Sequence, residues 1–379
     1  MVERVLVVGG GIGGLSSAIA LTARGVDVEI VELNPKWDVY GVGIIQPGNA
    51  IRALDQLGLI DEALAAGFAM DGDRFLLADG TLLADNEFPR VNGPEYPGLN
   101  GITRPKLHEL LTGAVKRSGA NVRLGVTVTA LDDREPGAVE AVFSDGTTGK
   151  YDLVIGADGL FSTVRKLAFP EVAAPAYSGQ AVWRYNLPRP PEVTKLWMYA
   201  GPVSKAGLVP LADDLMYLLL IETPGGDQPR RYPEAELATI LREKLADFGG
   251  LIPQLRELIT DPAQVVYRPI ECIWVPPPWR RGRVVLIGDA AHATSPHVGQ
   301  GAAMALEDSL VLAEEVTNSA SADDRLERAF ERFGARRYPR VQTIVEISSQ
   351  IAEWEKQQRQ DADFVGLTVR SVMATAEPI

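Results

Sequence analysis

The 379-residue sequence predicts an α/β fold: a Rossmann-like nucleotide-binding domain, an inserted mostly antiparallel β-sheet domain, and a C-terminal helix. Three observations predict it. An apolar run, Arg4–Val8, leads straight into Gly9-x-Gly11-x-x-Gly14. A second run, Val284–Ile287, leads into Gly288-Asp289 and a small-residue loop. Between them, residues 175–278 change texture, with dense proline and short strand-like segments.

The elements follow in order. Arg4–Val8 reads as a buried strand. Leu15, Ala18, Ile19 and Thr22 recur at helical spacing, so residues 13–24 read as a helix that ends at Gly25. Val28–Val31 is the next strand and stops at Glu32, completing a right-handed βαβ unit. Residues 49–65 read as helical, and residues 72–100 as strands and loops. Arg104-Pro105 opens a helix whose stripe is Leu107, Leu110, Leu111 and Ala114. Strands at 121–130 and 139–144 precede the Asp145-Gly146 turn, and Leu153–Ile155 runs into Gly156-Ala157-Asp158-Gly159. The inserted sheet shows strands at Ala181–Tyr185, Lys195–Tyr199 and Leu215–Ile221, with a helix near 234–246. Helices at 301–317 and 324–357 follow, the second with a kink point at Pro339. The expected division is 1–71, 101–174 and 279–324 for the nucleotide-binding domain. Residues 72–100 and 175–278 form the substrate domain, and 325–379 the C-terminal helical segment.

Fifty acidic against 37 basic residues give a net charge of −13, which argues against nucleic acid and anionic membranes as partners. The single cysteine, Cys272, excludes a disulfide framework or a redox cysteine pair and reads as a buried, inert thiol. Three scattered histidines argue against a metal site. Val5–Val8 is too short for a leader or a span, so the cytoplasm is the expected location.

Each motif has a physical reason. Gly9 makes the tight turn, Gly11 lets backbone approach a pyrophosphate, and Gly14 lets helix and strand close together. The helix start at Ile12 and Gly13 offers N–H donors to phosphates. Glu32, followed by Leu33, can accept from ribose hydroxyls and would repel a 2′-phosphate, so FAD or NAD is favoured over NADP here. The corner at 288–301 decides for FAD. Asp289 can accept from ribityl hydroxyls, and the helix start at 299–303 can face the flavin pyrimidine carbonyl.

These residues resemble the FAD-dependent aromatic hydroxylases typified by p-hydroxybenzoate hydroxylase and salicylate hydroxylase. The resemblance spans roughly residues 4–310 and rests on three motifs. They are Gly9/Gly11/Gly14 with Glu32; Gly156-Ala157-Asp158-Gly159 with Ser162 and Arg165; and Gly288–His292 with Pro296, Gly299 and Gly301. Gly43-Ile44 with Asn49-Ala50, and Arg104 with Leu107, match more weakly. The resemblance implies an FAD monooxygenase that consumes NADH or NADPH and hydroxylates a small phenolic or heteroaromatic substrate with O₂, through a flavin C(4a)-hydroperoxide. It also implies that Asp158 and Gly159 serve FAD and NAD(P)H, that Arg104 and Gly43 reach the cofactor, and that Pro296 lies beside the flavin ring. Relatives often carry Asn at the position of Ala303, so contacts from Gly301, Ala302 and Ala303 are expected from backbone alone.

The same fold also hosts flavoenzymes that insert no oxygen, reductase or epoxidase-like, and a non-catalytic flavin-binding protein is a third class. Disulfide reductases need a cysteine pair, and flavin halogenases a Trp-x-Trp motif; neither is in this sequence. Among single residues, His292 reads as a loop brace, and His297 as a candidate for proton relay to a phenol. His108 reads as a surface residue. Arg184 is a candidate partner for a substrate carboxylate, and Tyr199 and Tyr217 are candidate pocket residues. The C-terminal helix is a candidate cover for the FAD-binding domain or a candidate dimer face.

Overall fold

A computed structural model describes residues 2–39, 41–134, 137–318, 322–359 and 361–379. Its central sheet has six strands in the order Arg280–Arg281, Val284–Leu286, Leu153–Gly156, Arg4–Val8, Asp27–Glu32 and Asn121–Leu124. All neighbours run parallel except the first two, which form a hairpin. The three innermost strands are buried nearly throughout, which is why they read as unbroken apolar runs. Parallel pairing brings the C-terminal ends at Val8, Glu32, Gly156 and Leu286 to one edge, where ligands of open α/β sheets bind. Helix Ile12–Thr22 packs on helix Gly301–Thr317, with Ser17 and Ser309 hydroxyls 3.0 Å apart.

A seven-stranded sheet takes strands from both 72–87 and 176–272. Its order is Val266–Cys272, Ala176–Pro188, Leu215–Glu222, Ser204–Pro210, Leu196–Ala200, Gly72–Leu77 and Leu82–Glu87. Only Leu196–Ala200 with Gly72–Leu77 is parallel. Period-two alternation divides its side chains. Trp183, Tyr185, Tyr199, Met216 and Leu218 pack under Ala238, Leu241 and Ile252 of two short helices, Leu237–Lys244 and Ile252–Arg256. Tyr217 and Val209 on the opposite face pack with Val42, Met70 and Leu99.

Three local readings change. The helix expected over 49–65 is two, Gly48–Gln56 and Ile60–Ala65, because Gly58 turns to φ +70° between them. The long helix Ala322–Lys356 runs through Pro339 and is followed by another, Phe364–Ala376. Cys272 is half-buried; burial, with Asp289 and Glu271 nearby, pushes its thiol up to about 11, so it stays protonated and inert. No helix among the described residues is long and apolar enough to cross a membrane.

Candidate active site

The first turn is glycine-built because nothing else fits. Gly9 takes φ +109°, and a Cβ there would stand 2.4 Å from the Ala157 carbonyl oxygen. A Cβ on Gly14 would stand 1.9 Å from the Gly9 carbonyl oxygen. Gly13 faces Ile287 and Ala305, whereas Gly11 faces open space. Gly11 caps the Ile12–Thr22 helix with no side-chain hydrogen bond, which leaves its first N–H groups for an anion.

Glu32 ends the second strand with its carboxylate turned back. It accepts from Gly10 N–H at 2.6 Å and Asn34 N–H at 2.7 Å, and Leu33 beside it is 65% exposed. The Gly10 carbonyl meets Trp37 Nε1 and His108 Nε2, each at 3.2 Å. His108 is therefore buried, contrary to its expected surface place. The Arg104–Ser118 helix buries Leu107, His108, Leu111 and Thr112, a wider stripe than its apolar pattern shows. Burial pushes the His108 pKa down against the Gly10 hydrogen bond, which keeps the ring neutral.

Asp158 follows the third strand end. Its Oδ2 accepts from Thr163 N–H at 2.6 Å and Val164 N–H at 3.0 Å, while buried Oδ1 has no partner among the described residues. Burial raises its pKa against those hydrogen bonds. Gly159 beside it has φ +76° and open space. Buried Arg165 donates to the carbonyls of Leu160 at 2.6 Å and Ala290 at 2.8 Å, tying this loop to the next.

At the fourth strand end Gly288 turns with φ +55°, where a Cβ would crowd Ala305, and presents Asp289 exposed. Pro296 opens the turn Pro296–Val298, and Gly299 leaves it at φ +64°. Helix Gly301–Thr317 starts without a side-chain cap; Gly301 faces open space and the Ala303 side chain is buried, so backbone N–H groups are the donors at this helix start. Behind this loop lies a buried charge network. Asp308 accepts from Gly288 N–H at 2.9 Å and Arg337 Nε at 2.8 Å, and meets His292 Nε2 at 2.6 Å. Glu307 accepts from Arg337 at 2.5 Å and Arg340 at 2.8 Å. Burial opposes the Asp308 charge, but His292 and Arg337 hold its pKa near about 2. His292 is thus the expected brace; its partners went unread. The available signal was an acidic pair, Glu307-Asp308, in an apolar helix, with Arg336-Arg337 thirty residues on.

The seven-stranded sheet supplies the opposite wall. Arg184 and Tyr217 lie on the face turned to the nucleotide-binding domain, near Arg104, whose side chain is exposed. Arg184 has no acidic partner among the described residues. Burial lowers its pKa, with Tyr217 opposing that and Arg104 adding to it. Burial raises the Tyr217 pKa, while Arg184 and Arg104 oppose the rise. Gly43 is the close-approach point, since a Cβ there would strike Leu211 and Tyr217 at 2.4–2.5 Å. Tyr199 does not belong to this wall. It is fully buried on the far face, in the cluster that holds Trp197 and Phe248, because odd positions of its strand point away from the cofactor edge. His297 does not open into the pocket either. Its side chain is inaccessible, with Nδ1 2.8 Å from Ser295 Oγ and Nε2 2.9 Å from Glu355.

The arrangement fits a dinucleotide that carries a flavin. Two uncapped helix starts, open glycines at 11 and 301, exposed Asp289 and the orphaned Asp158 oxygen all stand at one sheet edge. The comparisons agree. The model of a family described as "FAD binding domain" matches residues 3–348. The putative FAD-dependent monooxygenase YetM of Bacillus subtilis (strain 168) is 31% identical, over 92% of this chain and 93% of its own. The 2-heptyl-3-hydroxy-4(1H)-quinolone synthase of Pseudomonas aeruginosa (strain UCBPP-PA14) is 34% identical, over 82% and 79%. Among solved structures, Klebsiella pneumoniae HpxO complexed with FAD and uric acid shares the fold, with a TM-score of 0.84 at 22% identity, covering 98% and 97%. The chain belongs to the FAD-binding-domain family and is an FAD-dependent flavoprotein monooxygenase.

Proposed function

We propose that the enzyme hydroxylates a small, planar, electron-rich aromatic or N-heteroaromatic anion, held between Arg184 and Tyr217, with NADH or NADPH as donor and O₂ as oxygen source. The observation that carries this is the Arg184 guanidinium, without an acidic partner among the described residues, beside Tyr217 on the sheet face turned to the nucleotide-binding domain. A half-buried cation without an acid is stabilised when a ligand supplies the anion. The quinolone synthase among the relatives is named for a hydroxylated N-heterocyclic product, which supports the same class.

FAD, when bound, supplies electron transfer and oxygen activation. The chain supplies the rest. The Ile12 helix start and Gly11 take the pyrophosphate, Glu32 the ribose, Asp289 the ribityl hydroxyls, and the Gly299–Ala303 backbone the flavin pyrimidine. Asp158 and Gly159 serve both FAD and the transient nicotinamide in this reading. Arg184 and Arg104 favour the ionised form of a ring hydroxyl, which makes the ring a better nucleophile, and neutral Tyr217 can donate a hydrogen bond to it. Val209, Leu211 and Leu219 give that wall its apolar surface and keep water away. Pro296 borders the reacting region. The single cysteine and acidic composition suit a cytoplasmic enzyme, and the C-terminal helices are a candidate face for a homodimer.

The test is a panel of hydroxy- and amino-substituted aromatic and N-heteroaromatic acids, scored by NADH and NADPH oxidation in ¹⁸O₂. Substrate-stimulated oxidation with one labelled oxygen in the product is expected. NAD(P)H oxidation that yields only peroxide across the panel overturns the hydroxylase reading and favours a reductase.

A further inference from the structure

Three elements meet at one buried polar node behind Pro296. Glu355, near the end of helix Ala322–Lys356, accepts from Lys205 Nζ at 2.5 Å and Gln180 Nε2 at 3.1 Å. Its Oε2 also lies 2.9 Å from His297 Nε2. The His297 Nδ1 stands 2.8 Å from Ser295 Oγ, which in turn reaches the Ser348 carbonyl on the same long helix at 3.2 Å. Lys205 and Gln180 belong to the seven-stranded sheet, and Ser295 and His297 to the Pro296 turn.

The charge states follow from the surroundings. Burial opposes the Glu355 charge, but Lys205 and the His297 hydrogen bond hold its pKa down at about 2. Burial, then Lys205, lowers the His297 pKa against Glu355, so the ring is neutral. A neutral ring that donates from Nε2 to the carboxylate accepts at Nδ1, so the one Ser295 hydroxyl proton serves either that nitrogen or the Ser348 carbonyl.

The turn that carries Pro296 is only three residues long and has one backbone hydrogen bond of its own, Gly299 N–H to the Pro296 carbonyl at 3.1 Å. The side chain next to Pro296 therefore sets its place. Lys205 also lies on the same sheet face as Arg184, two strands across and two residues along, about 12 Å away by sheet geometry. The geometry points to Glu355 as a positioning residue that acts through His297, coupling the substrate-binding sheet to the Pro296 turn at the flavin. This rests on the assignment of residues 295–301 to the flavin, and the FAD content of each variant is measured alongside, so that lost cofactor is told apart from a change in its surroundings.

The experiment uses holoenzyme variants Glu355→Gln, His297→Asn, their combination, Lys205→Arg and, as a control on an exposed turn of the same helix, Glu346→Gln. Two readouts report the flavin's surroundings: visible circular dichroism of bound FAD, and the rate at which O₂ reoxidises dithionite-reduced enzyme. Glu355→Gln and His297→Asn each shift the spectrum and change the rate roughly three- to thirtyfold. The double variant matches the singles, because both lie on one path. Lys205→Arg and Glu346→Gln follow the unmodified enzyme. The inference fails if Glu355→Gln keeps the original spectrum and rate, or if the two single effects multiply in the double variant. If Glu355→Gln does not fold, Lys205→Met is read against the same criteria.

Discussion

The two ends of the cofactor edge are built on different principles. The turn at Gly9–Gly14 is held mainly by shape: missing side chains, a close Gly9–Gly14 contact and neutral donors from Trp37 and His108, with the Glu32 carboxylate accepting from Gly10 N–H. The loop at Gly288–Gly301 is held by charge, through Asp308, Glu307 and arginines from a helix in another part of the chain. A shape-built turn carries its instructions locally. A charge-braced loop borrows them from residues that have no local reason to be where they are.

The contrast can be broken at either end. The largest effect is expected from Arg337→Met, which removes the shared buried cation and leaves Glu307 with Arg340 and Asp308 with His292 and Gly288 N–H; a loss of about 3 kcal/mol in denaturant unfolding is expected. Next comes Gly14→Ala. The clash with the Gly9 carbonyl should cost up to about 3 kcal/mol and abolish FAD retention on gel filtration.

A pH series separates the ends without perturbing shape. The Asp308 pKa is depressed in the folded state, so its stabilisation is complete above the unfolded carboxylate pKa of about 4. It is lost as pH falls from about 4 to about 2. That is on the order of 2 kcal/mol, and the corresponding acid slope in urea midpoints should be missing from Asp308→Asn.

A smaller effect follows from Glu32→Ala, which removes the acceptor for Gly10 and Asn34 N–H groups. FAD affinity should fall about tenfold or more by fluorescence titration. The smallest tests the substrate sheet. Tyr199→Phe should leave turnover within about twofold, since its side chain is in the far core, whereas Tyr217→Phe should lower kcat. Equal losses from both would mean that the face assignment is wrong.

The same contrast explains what could be read from sequence. The glycine turn, Glu32, the Asp158 loop and Asp289 all announce themselves within a few residues of an apolar strand, because strand, turn and helix start are local consequences of composition. His292 was legible as a brace, but Asp308 and Arg337 were not, since a charge in a helix normally marks its solvent face. His108 and His297 were misplaced for a related reason. A polar ring beside an apolar stripe gives no sign of which buried carbonyl or carboxylate awaits it. Tyr199 and Tyr217 look alike in isolation, and only cross-strand register separates them by face.

The late position of Arg337 and Arg340 bears on biosynthesis. Chains fold largely from the N-terminus as they leave the ribosome. Strands Arg4–Val8, Asp27–Glu32 and Leu153–Gly156 can pair long before strand Val284–Leu286 exists, so the phosphate-binding half starts to form first and is completed when helix Gly301–Thr317 packs on it. The flavin-side loop must wait until the helix bearing its counter-charges has emerged. Nascent chains stalled before Arg337 should therefore hold adenosine diphosphate but not FAD, and cofactor capture becomes one of the last events in the making of this enzyme.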